Sequence, residues 1–252
     1  MNARMPKLFL AVCLGAGTLA LWGCKGKEKV PKTEFVLFDL SASTATPEVR
    51  ARYVADFERL LANVNGGDIL VVDRINSNPL AQSTFPVNET FKRMNPWLEN
   101  LLVWRKESKG LRERISRTVQ KMVMDRKERS SKTSILDALQ LGQRVFETYP
   151  SERRVLVLFS DMVEESSYYD FTKENLTASR IQAIIVAEKA EHRLPRLDGT
   201  RVYAIGAAAG FYSRMPAEAV RHIQNFWLQY FKACGANLPV ETYGSALIQP
   251  PE

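Results

Sequence analysis

Short unbroken apolar runs alternate along this chain with longer stretches in which apolar residues recur at helical spacing. The runs are rich in Phe, Val, Leu and Ile, which is typical of strands covered on both faces. Three of them end in an acid, Asp39, Asp73 and Asp161. The pattern predicts buried strands at Phe35–Asp39, Asp68–Asp73, Arg154–Asp161 and Arg201–Gly206.

The stretches between these strands have the three-to-four residue spacing of amphipathic helices. They predict helices at Pro47–Val64, Asn95–Arg129, Ile135–Tyr149, Asn175–Ala190 and Pro216–Cys234. Pro79–Val87 fits a short edge strand, the kind of strand that tolerates Pro79 and Pro86, and Tyr243–Ile248 fits a last strand. Strands that alternate with helices predict an α/β fold with a doubly wound, mostly parallel sheet and helices on both faces.

The first residues have the pattern of a targeting segment and are not expected to belong to the α/β domain. Arg4 and Lys7 precede an apolar run, Leu8–Leu21, which is too short for a good membrane-spanning helix. Leu21-Trp22-Gly23-Cys24 resembles the lipobox of bacterial lipoproteins, in which the signal is cut before a cysteine that then carries the lipid. An ordinary secretory signal cut elsewhere is the alternative.

The lipobox resemblance divides the chain into three parts. Residues 1–23 are the signal peptide, Cys24 is the lipidated residue of a short tether at 24–33, and residues 34–249 form one domain. This implies an extracytoplasmic protein held to a bacterial membrane. The residue after Cys24 is not Asp, which favours the outer membrane and the periplasmic side. Cys234 then has no partner for an intrachain disulfide.

Side chains that could hold a metal ion follow the first strand. Asp39 lies where a parallel strand ends, at the edge of the sheet that binds ligands in open α/β folds, and Ser41 and Ser43 come directly after it. One carboxylate and two hydroxyls form an all-oxygen set, which suits a hard divalent ion such as Mg²⁺ better than zinc or copper.

Three separate motifs together resemble the von Willebrand factor type A (VWA) family. They are Asp39-Leu40-Ser41-Ala42-Ser43, then Thr133 in Thr-x-x-x-x-Ala-Leu, then Asp161 at the end of an apolar strand. They occur in the order of that family's metal-ion-dependent adhesion site (MIDAS). The resemblance implies a metal site at Asp39, Ser41, Ser43, Thr133 and Asp161, with the hydroxyls as direct ligands and the aspartates in the first or second shell.

Two features of the sequence bear on that ligand set. Ser131 and Ser134 are close enough in sequence to compete with Thr133 for its role. Met162 stands where many family members have Gly after the last aspartate, which affects the expected shape of that loop.

Hydroxyl ligands do not neutralise a dication, so the ion keeps positive charge and an open position. A Glu or Asp side chain of another protein can complete its shell. The resemblance therefore implies a lipid-anchored envelope protein that binds an acidic partner protein through Mg²⁺, with Mn²⁺ and Ca²⁺ as alternatives. The sequence does not indicate an oligomeric state.

The second hypothesis is that the protein is an enzyme, and three features of the sequence count against it. His192 and His222 lie on predicted polar helix surfaces with no readable pairing to a Ser or Cys nucleophile. Phosphatases of the haloacid-dehalogenase type resemble Asp-x-Asp after a strand, but position 41 is Ser. The glycines at 206 and 210 lack the order of a phosphate-binding loop. We expect no catalysis.

Charge supports an alternative function. The chain carries a net charge of +7, and residues 105–132 contain eleven Lys and Arg against four acids. This segment could dock to anionic envelope components, or to nucleic acid, without using a metal. Single-stranded nucleic acid is disfavoured because no aromatic residues interleave with the charges. The segment leads directly to Thr133, so we expect its end to border the metal site.

Partner contacts are expected on both sides of that site. Arg126, Lys127 and Arg129 end the basic segment, while Glu164, Tyr168 and Tyr169 lie on an acidic and aromatic loop after Asp161.

Neutralising Arg126, Lys127 and Arg129 together is expected to weaken binding of an acidic partner and to flatten its dependence on salt, because exposed charges attract over a distance that salt screens. Titrations at low and high ionic strength measure both effects. Unchanged affinity and unchanged salt dependence would contradict this role.

Overall fold

A computed structural model of the chain describes residues 29–125, 130, 132–207 and 215–251. Cys24, with the proposed signal peptide, and Arg126, Lys127 and Arg129 lie outside the described residues. In the described ranges, no helix combines the length and the apolar character needed to cross a membrane.

Six strands form one sheet in the order β3-β2-β1-β4-β5-β6. All neighbouring strands are parallel except β2 and β3, so the antiparallel pair lies at one edge. This confirms the predicted α/β class, a doubly wound sheet of the VWA/Rossmann-like kind. The strands are β1 (Lys32–Asp39), β2 (Ile69–Ile75), β3 (Val87–Thr90), β4 (Arg153–Phe159), β5 (Arg201–Ile205) and β6 (Tyr243–Gly244).

Helices cover both faces of the sheet. The helices are α1 (Pro47–Ala62), α2 (Pro79–Gln82), α3 (Leu101–Met124), α4 (Ile135–Thr148), α5 (Ala178–Ala190) and α6 (Ala217–Ala233). Apolar side chains of α1 and α3 pack on one face, and those of α4, α5 and α6 pack on the other. Because successive β1 side chains alternate between the two cores, the strand is buried along its whole length.

Capping residues explain where several helices begin. The Thr46 hydroxyl accepts a hydrogen bond from the amide of Val49, and Pro47 occupies the first turn of α1. The Asn100 side chain accepts from two amides of α3, which therefore begins at Leu101 rather than at the predicted Asn95. At the end of α6, Cys234 is buried and is followed by Gly235 with a φ of 77°, as expected for a helix stop.

The predictions were wrong at the sheet edges. Pro79–Val87 does not form one strand, because Asn78 caps the short helix α2 and the edge strand begins only at Val87. The last strand shrinks to Tyr243–Gly244. These edge segments bury little apolar surface, so their pattern was weak.

Strand β1 begins three residues earlier than predicted because it contains a buried ion pair. Lys32 Nζ lies 3.2 Å from Glu34 Oε2, and both side chains are almost completely buried. The Lys32 ammonium also donates to the carbonyl of Pro251, and the Lys32 amide donates to Asp68 Oδ1. Burial raises the pKa of Glu34 to about 7, against the opposing attraction of Lys32.

Replacing Lys32 with Met is expected to destabilise the fold by about 3–5 kcal/mol at pH 8, because it leaves the Glu34 carboxylate buried without a cation. The loss is smaller at pH 5, since the raised pKa of Glu34 means that the folded state holds a proton there. Denaturant unfolding at the two pH values measures both effects.

Lys109→Met is the matched control, because Lys109 forms an exposed pair with Glu113 at 3.8 Å. Equal losses for the two variants, or a Lys32→Met loss that does not depend on pH, would contradict the assignment.

Candidate metal centre

The carboxyl ends of β1 and β4 meet where the strand order of the sheet reverses. From β1 the strand order continues through β2 to one edge of the sheet, and from β4 it continues through β5 to the other edge. The connections after β1 and β4 therefore leave in opposite directions, which opens a crevice at the ends of these two strands. Asp39 is the last residue of β1, and Asp161 comes two residues after the end of β4. The sheet therefore places the two predicted aspartates at one crevice. We call Asp39, Ser41, Ser43, Thr133 and Asp161 the switch-point cluster.

Asp39 is completely buried, and hydrogen bonds hold both of its oxygens. The Ser41 amide donates to Oδ1 at 2.9 Å, and the Ser160 hydroxyl donates to Oδ2 at 2.7 Å. The Ser41 and Ser43 hydroxyl oxygens lie 3.0 Å apart. The three predicted ligands of the first motif are thus adjacent in space.

Asp161 has one satisfied oxygen and one free oxygen. Its Oδ1 accepts from the Val163 amide at 3.2 Å, whereas its Oδ2 is buried and has no hydrogen-bond partner among the described residues. An unpaired buried carboxylate oxygen is costly unless a cation or a donor approaches it.

The two carboxylates lie close enough to affect each other's ionisation. The pKa of Asp161 is raised to about 7. Burial is the main cause and the charge of Asp39 adds to it, while an interaction with the Ser43 hydroxyl opposes both. Burial also raises the pKa of Asp39, while hydrogen bonds from Ser41 and Ser160 lower it. Two buried acids side by side favour protons or a shared cation.

Thr133 reaches the same crevice through its backbone. Ser130 forms a bridge with Ser41, and three residues later Thr133 pairs with Glu165. The Thr133 amide donates to the Glu165 carbonyl at 3.0 Å, and the Glu165 amide donates back at 2.9 Å. The Glu165 charge contributes to the raised pKa of Asp161. This segment therefore crosses the crevice from the Asp39 side to the Asp161 side.

Ser134 competes poorly with Thr133 for a role in the cluster. Its hydroxyl donates to Asp137 Oδ2 at 2.7 Å, in the first turn of α4. Ser131 lies outside the described residues. The geometry thus favours Thr133 over Ser134.

Met162 explains why glycine suits the position after the second aspartate. Its φ is 63°, in the left-handed region that side chains rarely adopt. The side chain is fully buried, and the Trp227 indole N–H donates to the Met162 carbonyl at 2.7 Å. Packing and this hydrogen bond hold the strained turn.

The floor of the crevice is closely packed. Gly206 has a φ of 99°, and a side chain there would meet the Tyr53 hydroxyl oxygen at 2.5 Å. That hydroxyl is buried without a hydrogen-bond partner among the described residues. Burial and the charges of Asp39 and Asp161 raise the pKa of Tyr53. A second polar atom therefore lies near the carboxylate pair with its hydrogen-bonding capacity unused.

The donor set of the cluster fits a hard divalent ion. Among the residues that the structure describes, no three His, Cys, Asp or Glu side chains are grouped to hold a metal. Asp39 and Asp161 supply two carboxylates and Ser41 and Ser43 two adjacent hydroxyls, whereas Thr133 is placed at the crevice by its backbone. Asp161 Oδ2 has no hydrogen-bond partner among the described residues. Oxygen donors of this kind suit Mg²⁺, Mn²⁺ or Ca²⁺.

Two of the predicted partner contacts beyond Asp161 are wrong. Glu164 is fully buried, and its Oε2 accepts from the amides of Ile135 and Leu136 at the start of α4. Burial raises its pKa to about 8. The carboxyl group therefore caps the first turn of α4 instead of facing a partner.

Tyr169 is also a packing residue. It is buried, and its hydroxyl donates to Glu188 Oε1 at 2.8 Å. Tyr168 is exposed, with the Arg193 guanidinium 4.4 Å from the centre of its ring. Of the three contacts predicted on this loop, only Tyr168 is available at the surface.

Helix α3, which carries the described part of the basic segment, ends beside the crevice. Arg50 is buried and donates to the carbonyls of Val123 and Asp125 at the end of α3. The same guanidinium donates to the Leu40 carbonyl, directly after Asp39.

Sequence reasoning missed Ser160, which ties the two strand ends together. Its hydroxyl donates to Asp39 and accepts from the Met162 amide at 2.9 Å. The only signal was its place between an apolar strand and Asp161, which does not reveal a partner 121 residues away.

No protein-family model and no curated protein matches the sequence. Among solved structures, the D319A mutant of the PilB minor pilin from Streptococcus sanguinis matches with a TM-score of 0.51 at 12% identity. That match covers 87% of this chain and 58% of the pilin chain, so this chain spans less than two thirds of it.

Two further structures are more distant. A von Willebrand factor type A protein from Catenulispora acidiphila matches with a TM-score of 0.37 at 12% identity, over 82% of this chain and 43% of that one. The manganese-loaded TRAP protein of Plasmodium vivax matches with a TM-score of 0.42 at 16% identity, over 78% and 73%. At these identities the pilin likeness shows the α/β fold alone.

Removing the Ser160 hydroxyl with Ser160→Ala is expected to lower the free energy of unfolding by about 1–3 kcal/mol, because it leaves Asp39 Oδ2 and the Met162 amide without their buried partner. Denaturant unfolding measures the change.

Ser179→Ala is the control, since the Ser179 hydroxyl is exposed in the first turn of α5 and contacts only Thr177. A Ser160→Ala variant as stable as Ser179→Ala would show that the bridge between the strand ends contributes little.

Proposed function

We propose that the switch-point cluster binds a divalent metal ion, Mg²⁺ or alternatively Mn²⁺ or Ca²⁺, and that the ion binds an acidic side chain of another protein. The observation that carries the proposal is Asp161 Oδ2, a buried carboxylate oxygen that has no hydrogen-bond partner among the described residues and lies beside the buried carboxylate of Asp39. The sequence resemblance to the MIDAS of VWA domains supports the same reading.

Each member of the cluster has a distinct proposed role. Ser41, Ser43 and Thr133 bind the ion with neutral hydroxyls, and Asp39 and Asp161 supply the charge that holds it. A bound ion would keep part of its positive charge and offer a position to a partner carboxylate. Ser160 orients Asp39, and Trp227 fixes the turn after Asp161.

The surroundings of the cluster support recognition of a protein rather than catalysis. The Arg50 guanidinium donates to the Leu40 carbonyl and its charge acts on Asp39, so positive charge borders the proposed ion. Such a border favours an acidic partner and speeds its association. The cluster contains no histidine or cysteine that could act as a base or nucleophile, and a binding role without enzyme activity is part of the proposal.

The proposed location is the bacterial envelope. The lipobox resemblance at Cys24 places the protein on the extracytoplasmic side of a membrane, held by lipid. A protein tethered in this way would hold its partner at the membrane surface.

Mg²⁺ at a hundred times its dissociation constant is expected to raise the free energy of unfolding by about 2.7 kcal/mol, because the ion binds only the folded state. Asp39→Asn is expected to abolish this gain, since it removes one of the two charges that hold the ion. Thermal unfolding with Mg²⁺ and with EDTA measures both.

Asp73→Asn provides a matched control. Asp73 is as buried as Asp39, but its Oδ2 accepts from the amides of Thr84 and Phe85 away from the cluster. This variant should be less stable and still respond fully to Mg²⁺. A wild-type protein whose unfolding temperature does not change with Mg²⁺ would contradict the proposal. That result would favour partner binding through the basic segment.

A further inference from the structure

A cluster of large apolar side chains projects into solvent before and at the start of α3. Trp97, Leu98 and Leu102 are 92%, 83% and 73% exposed, and Leu101 and Val103 are exposed beside them. We call these five residues the Trp97 patch. Exposed apolar side chains concentrated in this way mark a surface that contacts a lipid bilayer or another molecule.

The patch is held in a defined conformation. The Asn95 side chain accepts from the Trp97 amide at 3.1 Å, and the Asn95 carbonyl accepts from the amides of Leu98 and Glu99. Asn100 then caps α3. Two capped turns in succession therefore fix the apolar side chains outward.

A chain of contacts places the patch at the edge of the sheet where β1 begins. The Trp104 indole donates to the Lys92 carbonyl at 3.2 Å, the Phe91 amide donates to the Asp68 carbonyl, and Asp68 accepts from the Lys32 amide. Lys32 is the first residue of β1. The Trp97 patch and the start of the domain therefore share one end of the molecule.

The sequence upstream of this end contains the apolar run Leu8–Leu21. Seven residues separate Cys24 from Lys32, and an extended chain between these two positions reaches at most about 30 Å. If the upstream segment lies in a bilayer, directly or through a lipid on Cys24, the end that carries the Trp97 patch is held against that bilayer.

Charge around the patch favours an anionic lipid surface. Residues 92–109 contain five Lys and Arg against two Glu, and Lys92 and Arg105 flank the apolar side chains. Tryptophan and leucine beside basic residues are typical of surfaces that lie at the boundary between headgroups and acyl chains. A second copy of the chain would bring the same positive charge and be repelled.

Helix α3 gives this arrangement a consequence for the switch-point cluster. It begins in the Trp97 patch and ends beside Leu40, with 24 residues that span about 36 Å. A bilayer under the patch would therefore leave the cluster facing away from the membrane.

We propose that the Trp97 patch docks on an anionic lipid bilayer and thereby orients the domain with the switch-point cluster outward. The proposal does not depend on whether the cluster binds metal.

The test uses the full-length chain with vesicles of phosphatidylethanolamine and phosphatidylglycerol (3:1) that contain lipid brominated on the acyl chains. Tryptophan fluorescence of the wild type is compared with that of Trp97→Phe, and the difference isolates the signal of Trp97. We expect brominated lipid to quench that signal by at least about half, and neutral phosphatidylcholine vesicles or high salt to reduce the quenching.

Leu98→Asp/Leu102→Asp tests whether the rest of the patch holds Trp97 at the bilayer. This double variant keeps Trp97 and is expected to lose most of its quenching, because two charges replace exposed apolar contacts. Val186→Asp is the control, since Val186 is also an exposed apolar residue (63%), lies on α5 and belongs to a different surface.

Three results would overturn the proposal. The first is a Trp97 signal that brominated lipid does not quench. The second is equal loss of quenching in Val186→Asp. The third is a dimer, found by sedimentation without lipid and abolished in the double variant, which would assign the patch to self-association.

Discussion

The structure depends on two carboxylates that the sheet buries next to each other. Parallel strands β1 and β4 end side by side, and each delivers an aspartate into a crevice from which water is largely excluded. Lost hydration raises the pKa of both groups, the charge of Asp39 also raises that of Asp161, and one oxygen of Asp161 has no partner among the described residues. Protons or a shared cation can offset this cost, and a divalent cation is the account that we propose.

Buried ionisable groups lie at both ends of β1, but their charge is balanced in different ways. Where β1 begins, Glu34 is neutralised within the protein by Lys32. Where it ends, Ser160 and Ser41 only supply hydrogen bonds to Asp39. At the first end a lysine beside the carboxylate supplies the counter-charge, whereas at the second end we propose that an ion from outside supplies it. The strained turn at Met162, held by Trp227, belongs to the open end.

The central strands, with Asp39 and Asp161 at the ends of two of them, were predictable because their signals are local and strong. Four unbroken apolar runs specified the buried strands, and acids and hydroxyls at the strand ends specified the crevice. The buried roles of Glu164 and Tyr169 were not predictable, because a charged or phenolic side chain on a loop has the same sequence signature whether it caps a distant helix or meets solvent. The Trp97 patch was not predicted, because the helical spacing of apolar residues does not show whether another element of the fold covers them.

The most direct test of this account is to count the protons that leave when Mg²⁺ binds. Calorimetric titration of the full-length chain near pH 6.5, in two buffers of different ionisation enthalpy, gives that number. Because the pKa of Asp161 is raised to about 7, the metal-free pair holds part of a proton at this pH, and we expect Mg²⁺ to displace it in a net release. Absence of binding, or binding without any proton release, would contradict the account.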